Sequence, residues 1–595
     1  MSSIKETKSQ RVERLKREKN AWDHLDEIRN FARLGHGSIS QEWLGTYFRT
    51  WGIYTQGDGL GVVGGTGGEG KAAPYFMMRI RIPNGLLTSL QLRTIANLST
   101  LHGNGVADIT VRQNIQLHWI RIESIPEILD TLHSIGLTTT GACGDVTRNI
   151  TGCPLAGVHA HELVDVNPII QAIDKELAGN PEFYNLPRKF KITVTACPDW
   201  CSYPEINDIA LIATSRVRRD NPEIRHSERS LPGEPSLLGP NGNADPAASR
   251  EIGFSLRIGG GLSTQPHLAV PIPAFIQWHQ VIPVVRAITE IFRESDVLRH
   301  SRDKARLKYL FLEHAWTAGS FLELIESKLG YSFDPAEPAT PPAQVHRDHL
   351  GVIPQQQPGL FSIGASVIRG RITPVQLGIA ADLAEHYGDG HIRNTPMQNL
   401  LLVNITEAHV STVVNELTAA GLPIESSAFV RGTVACTGSE FCKLALTETK
   451  SYARWLTEQL EERFPNYQEQ LRLHITGCPN SCGQHWIADI GIEGKKIKSN
   501  GRMVDAYYFC VGGSVGQIAA IARPLGYRCP ADEVPNAIAR LLEYFHIERE
   551  QREPLQKFLA RQSTESLRGV LAGGPAEIAE RDLTTATTPH SVEDR

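Results

Sequence analysis

Cys436 and Cys442 in CTGSEFC, followed some three dozen residues later by Cys478 and Cys482 in GCPNSCG, are the residues in this chain best suited to chemistry. Thiolates are soft donors, and pairs spaced C-x5-C and C-x3-C on Gly-flanked loops can reach neighbouring irons of a cubane, so the four read as the ligands of one [4Fe–4S] cluster. Structural zinc is the competing use, although it favours C-x2-C and C-x4-C knuckles. Disulfides suit an oxidising compartment, for which the N-terminus carries no secretory signal. Unrelated buried thiols are the remaining alternative.

A second group is cationic. Arg112 stands at the end of an expected strand in ITVRQNIQLHW, Arg148 in GDVTRNITG, and Lys189 and Lys191 in NLPRKFKITV, where alternation puts both lysines on one face of an extended segment. A lone Arg or Lys is usually a solvated surface charge, but these four sit in apolar or Gly-rich settings.

The elements that must position both groups form a repeat. Leu86 to Leu92 returns as Arg371 to Leu377, Arg112 to Asn114 as Met397 to Asn399, and Gly136-Leu137 as Gly421-Leu422, all at an offset of 285 residues. Each copy reads as strand, helix opened by a Thr cap (Thr88 or Thr373), two strands and a second helix, a ferredoxin-like β-α-β-β-α unit. Farther on, CPLA from Cys153 aligns with CKLA from Cys442, CPDWC (Cys197 to Cys201) aligns with CPNSC (Cys478 to Cys482), and Thr147 falls opposite Cys436. The first half thus holds three of four cluster positions. Its thiols are either remnants packed under the site or ligands of something labile, with Cys143 as an irregular fourth. Met397 replaces Arg112 in the second copy and Thr437 faces Arg148, so the halves divide the labour between anion and electrons.

The stretch ACTGSEFC…TGCPNSCG resembles the cluster signature of the sirohaem-dependent sulfite and nitrite reductases, and the resemblance runs from about residue 45 to about 550. It implies sirohaem beside the [4Fe–4S] cluster, with Cys482 bridging cluster and sirohaem iron as axial ligand. It also implies that Arg112, Arg148, Lys189 and Lys191 hold a small oxyanion on the open face of that iron, with Arg112, Asn114 and Asn149 near the sirohaem carboxylates. Electrons would enter singly from ferredoxin, since no flavodoxin-like or dinucleotide fingerprint is present. The Lys191 of the Lys-x-Lys pair, where family nitrite reductases tend to have Asn, favours six-electron reduction of sulfite to sulfide. RQN and GCPNSCG are shared with nitrite reductases, which keeps nitrite to ammonia open. A non-catalytic iron–sulfur carrier or sensor and a zinc-stapled scaffold are the readings from other classes.

The expected architecture is α+β: a pseudo-two-fold central domain of two ferredoxin-like units with two flanking α+β lobes. Residues 1–74 form a helical arm and Gly-rich connection, 75–141 and 358–425 the two half-domains, 142–332 the anion lobe, 333–357 a Pro-rich linker, 426–575 the cluster lobe and 576–595 a disordered tail. Within the arm, residues 8–33 carry a helical pattern. Gly65 to Lys71 starts like a phosphate loop, but Ala72 stands where Ser or Thr must hold Mg²⁺, so nucleotide binding is rejected. Residues 219–251 read as a surface loop, and a helix is expected around ADEVPNAIARLLEYFHIERE. Gly259 to Gly261 and Gly512-Gly513 allow close backbone approach beneath a macrocycle or simply a tight turn. His159 and His161 read as a solvated pair. A chain 41% hydrophobic and 21% charged is globular, and a net charge of −5 argues against nucleic-acid binding. No apolar run reaches the roughly 20 residues of a membrane span. The acid-containing first twenty residues are unlike a transit peptide, so a cytoplasmic setting is expected.

Overall fold

The computed structural model describes residues 6–57, 72–217, 250–343, 347–499 and 501–574. The phosphate-loop-like stretch, most of the 219–251 loop and the C-terminal tail lie outside them. The described residues form four sheets: two in a central body and one in each flanking lobe.

The central sheets repeat one another. Strands Ala72–Ile80, Ala107–Ile109 and Ile115–Ile120 form the first, and Leu360–Ala365, His391–Asn394 and Leu400–Thr406 the second. Helices Ser89–His102 and Pro374–Tyr387 start 285 residues apart, as do Ile125–Ser134 and Val410–Ala419. Thr88 and Thr373 each cap their helix in a capping box, closed by Gln91 and Gln376. Backbone strain repeats too: Asn84, Gln113 and Trp119 have positive φ, and so do their counterparts Arg369, Gln398 and Asn404.

The two units exchange short strands. Leu86–Thr88 of the first pairs with His391–Asn394 of the second, and Arg371–Ile372 of the second pairs with Ala107–Ile109 of the first. Gln113 and Gln398 lock this exchange reciprocally. Gln113 Nε2 donates to Asn394 O at 3.1 Å and Gln398 Nε2 to Ile109 O at 2.9 Å, while their Oε1 atoms accept from Gly152 N and Ala435 N, both at 3.1 Å. One apolar core spans both units and the N-terminal helices Lys8–Glu18 and Leu25–Leu34.

Two boundaries move. Ile53–Gly57, placed in the arm, pairs with Ala72–Ile80, and Gly351–Pro354, placed in the linker, pairs with Leu360–Ala365. Each is an edge strand recruited by a neighbour it could not have announced, since edge pairing needs only backbone groups. The expected C-terminal helix is Val534–Glu548. Among the described residues no helix is long and apolar enough to cross a membrane.

Both lobes share a parallel-strand start. Thr151–Gly152 pairs with Ile192–Thr195 and that with Ile209–Val217, whereas Thr433–Ala435 pairs with Leu473–Thr476 and that with Ile490–Ser499. This register corrects the alignment of the cysteines. Gly152 lies opposite Val194 as Ala435 lies opposite Ile475, so the residues that follow, Cys153 and Cys436, are counterparts. Leu163 N donates to Ala196 O as Leu446 N donates to Gly477 O, which puts His159 rather than Cys153 at the place of Cys442. Thr437 then faces Pro154, not Arg148. The likeness of CPLA to CKLA is local, and only strand pairing reveals the register.

Candidate functional site

The four candidate cluster thiols, Cys436, Cys442, Cys478 and Cys482, sit on two loops at the ends of Thr433–Ala435 and Leu473–Thr476. Gly477 N donates to Cys436 Sγ at 3.2 Å and Asn480 Nδ2 to Cys478 Sγ at 3.5 Å, the polarising contacts that iron-bound thiolates use. The glycines are dictated by crowding: a Cβ on Gly438, which has φ +71°, would lie 2.6 Å from Thr449 N, and one on Gly483 2.3 Å from Ile475 O. Burial pushes Cys442 up to about 12 and Cys478 higher still, and the negative charges of Cys482 and Cys436 add to both shifts. The four sulfurs are therefore within electrostatic reach of one another, and a cation must replace their protons before all four ionise. The central body braces the first loop. Gly57 N donates to Phe441 O at 3.0 Å, His118 stacks on Phe441, and Arg371 joins Glu440 to buried Asp108.

The four cations converge from three segments. Arg112 lies in a tight turn after Ala107–Ile109 rather than at a strand end: Thr110 N donates to Asn114 O, and Gln113 takes φ +59°. Arg112 is held by Asn207 Oδ1 at 2.8 Å, Asn149 O at 2.5 Å and Ile192 O at 3.1 Å, and its Nε has no partner. Asn114 and Asn149 shape this turn. Asn114 Oδ1 accepts from Ile82 N at 3.2 Å, while Asn149 Nδ2 donates to Ile82 O at 2.7 Å and to Arg112 O at 2.9 Å. Among the described residues Arg148 bonds only backbone oxygens, those of Gly144 and Ala142.

Lys189 and Lys191 make no side-chain hydrogen bond or ion pair among the described residues. Burial pushes Lys189 down to about 7, opposed by the charge of Cys482 and reinforced by Arg188, Arg306 and Arg148. Burial also lowers Lys191 well below the usual lysine range, and Arg306, Arg112 and Lys189 lower it further. The four cations are thus within electrostatic reach of one another, and Lys189 is within reach of Cys482. The lysines lack a carboxylate partner because Arg306 pairs with Asp208 at 2.7 Å.

Arg79 is the cation that the sequence reading missed. It donates to Cys143 Sγ at 3.1 Å, and the charges of Cys482 and Cys442 favour its protonated form. An Arg inside the apolar run PYFMMRI was the available signal. Cys143 is accordingly not a fourth partner of the first-half thiols. His159 is buried, its Nε2 lying 2.7 Å from Arg347 Nη1, and only His161 is exposed, which corrects the reading of a solvated pair. The glycine pairs serve their own turns. Gly260 N donates to Asn207 O and Gly513 N to Ala488 O, both at 2.9 Å, and a Cβ would come within 2.5 Å of Glu205 O at Gly260 and 2.6 Å of Trp486 O at Gly513.

Four clustered thiols beside a group of cations without carboxylate partners among the described residues define an iron–sulfur oxidoreductase acting on a small anion. Comparison with known proteins agrees. The family described as "Nitrite and sulphite reductase 4Fe-4S domain" matches residues 143–333 and 426–574, and "Nitrite/Sulfite reductase ferredoxin-like half domain" matches 69–135 and 353–420. An assimilatory ferredoxin-dependent nitrite reductase of Haloferax mediterranei is 35% identical over 587 residues, covering 93% of this chain and 90% of that one. A sulfite reductase [ferredoxin] of Mycobacterium tuberculosis is 36% identical over 569 residues, covering 93% and 95%. The structure of Mycobacterium tuberculosis NirA protein superposes with a TM-score of 0.83 at 34% identity, covering 94% of this chain and 97% of that one. The chain belongs to the nitrite and sulphite reductase family, oxidoreductases that carry a [4Fe–4S] cluster and sirohaem. Its residues fit both groups: Cys436, Cys442, Cys478 and Cys482 offer four thiolates, and Arg79, Arg112, Arg148, Lys189 and Lys191, none paired to a carboxylate among the described residues, match a polycarboxylate macrocycle and an anion.

Proposed function

We propose that this chain reduces sulfite to sulfide, taking six electrons one at a time from ferredoxin. The observation that carries the substrate choice is the pair Lys189 and Lys191, two buried lysines beside Arg112 and Arg148 that have no ion pair among the described residues and can each take a proton as a dianion binds. When bound, the cluster, held by Cys436, Cys442, Cys478 and Cys482, and sirohaem would supply the electrons and the iron that takes the anion. The protein's own groups do the rest. Arg112, held rigid by Asn207, Asn149 and Ile192, presents a fixed guanidinium, and Asn114 and Asn149 act by keeping its turn in shape. Arg148 is fixed by Gly144 and adds a second such group. Lys189 Nζ, held near neutrality, can both bind a dianion and hand over a proton as each S–O bond breaks. Arg79 lies on the side of Cys143 and Cys482, where it suits a sirohaem carboxylate.

Nitrite is the second reading, favoured by relatives of nearly equal identity that are named nitrite reductases. The test is kcat/KM for both anions on one anaerobic preparation with photoreduced ferredoxin. A clear preference for sulfite supports the dianion clamp, and a preference for nitrite overturns it.

A further inference from the structure

The first lobe contains the pseudo-symmetric counterpart of the cluster site, and it is built but altered. Cys153, Cys197 and Cys201 stand at the places of Cys436, Cys478 and Cys482, all three buried. His159, at the place of Cys442, has both ring nitrogens engaged, Nδ1 by His161 N at 3.0 Å and Nε2 by Arg347. A different imidazole has entered. His349, from the segment joining the two halves, brings a ring nitrogen within 4.8 Å of the sulfurs of Cys153 and Cys201, which are equally close to each other. Cys197 Sγ lies 3.6 Å from Cys201 Sγ.

Three features point to a ligand. His349 is 1% exposed, yet neither ring nitrogen has a hydrogen-bond partner among the described residues. Its backbone is held at φ +60°, a conformation that non-glycine residues avoid, by anchors on both sides: Asp348 pairs with Arg431 at 2.6 Å, and Asn399 Nδ2 donates to Asp348 O at 3.3 Å. The sulfur spacing is too short for a cubane, whose thiolates sit on separate iron corners. It suits a single tetrahedral ion, for which ligands about 2.3 Å from the metal lie roughly 3.8 Å apart. Leu155, Val158, Leu401 and Val403 close the site with apolar walls.

We propose that Cys153, Cys197, Cys201 and His349 bind one structural zinc ion, which staples the interlobe segment to the first lobe. Binding takes three thiolates and a neutral imidazole and releases three protons to solvent, leaving a net charge of −1. Arg347 and Arg393 lie within electrostatic reach of these sulfurs and balance that charge. The ion fills all four positions with protein ligands, so it takes no part in electron transfer.

Zinc and iron are to be quantified by mass spectrometry on the anaerobically purified, chelator-dialysed holoenzyme. About one zinc and about five irons per chain are expected, the irons from one cubane and one sirohaem. His349→Ala and Cys201→Ser should each lower zinc at least tenfold while iron stays near five. A wild-type enzyme without zinc overturns the proposal, as do eight or nine irons or zinc that survives both substitutions. Should either variant fail to fold, zinc absorption-edge spectroscopy on the wild type decides: three sulfurs near 2.3 Å and one nitrogen near 2.0 Å support the site, and any other shell overturns it.

Discussion

The two lobes place the same strand ends to opposite purposes, and one pair of positions shows how. In the cluster lobe Arg472 sits where Lys191 sits in the anion lobe, and its backbone N–H and guanidinium both bond Asp489. In the anion lobe the backbone N–H of Lys191 still bonds the counterpart carboxylate, Asp208, at 2.9 Å. The side chain does not, because Arg306 arrives from a separate segment to pair with Asp208. An external arginine thus frees the native cation to face the site. Likewise Arg112 reaches toward the lysines, whereas its counterpart Met397 is buried against Tyr203 at 3.2 Å. A duplicated scaffold acquires an anion site by importing one neutralising charge, with no rebuilding of its strands.

The largest expected break in this comparison is Cys482→Ser, which should abolish turnover and disturb the visible bands of both cofactors. Normal activity in that variant would remove the bridging assignment. Next is Asp208→Asn. It leaves Arg306 buried without its partner and should cost about 3–5 kcal/mol in denaturant unfolding. A loss below 1 kcal/mol would mean that Arg306 is not the imported counter-charge. Lys191→Asn should lower kcat/KM for sulfite on the order of 100-fold, the scale of one preorganised donor, and that for nitrite by less than about 10-fold. An unchanged ratio would show that this lysine does not select the dianion. The smallest effect is one of pH. Lys189 is lowered to about 7, so it is largely protonated below that value and neutral above it. Anion affinity should weaken by up to about tenfold per pH unit above 7, a slope that sulfite-binding titrations should lose in Lys189→Met.

Much of the site was legible because its residues are chemically rare in their settings. Thiols on Gly-flanked loops and lysines two apart in an apolar stretch declare themselves without coordinates. Arg79 did not, because a single charge in a strand carries no sign of what lies across from it. His349 did not either, since its segment reads as a linker and its partners lie some 150 to 200 residues away. The pairing of Cys153 with Cys436 escaped for a different reason: loops change length after duplication, and only hydrogen-bond register is conserved through such changes.

By itself the sequence determined the duplication, the capped helices and which four thiols and four cations are the candidates for cluster and anion, because each rests on residue type and short spacing. The tertiary structure alone decided the exchange of strands between the two units, the pairing of Arg306 with Asp208 beside Lys191, and the approach of His349 to Cys153 and Cys201. These depend on contacts between distant segments, and such contacts are set by packing and register that no local pattern records.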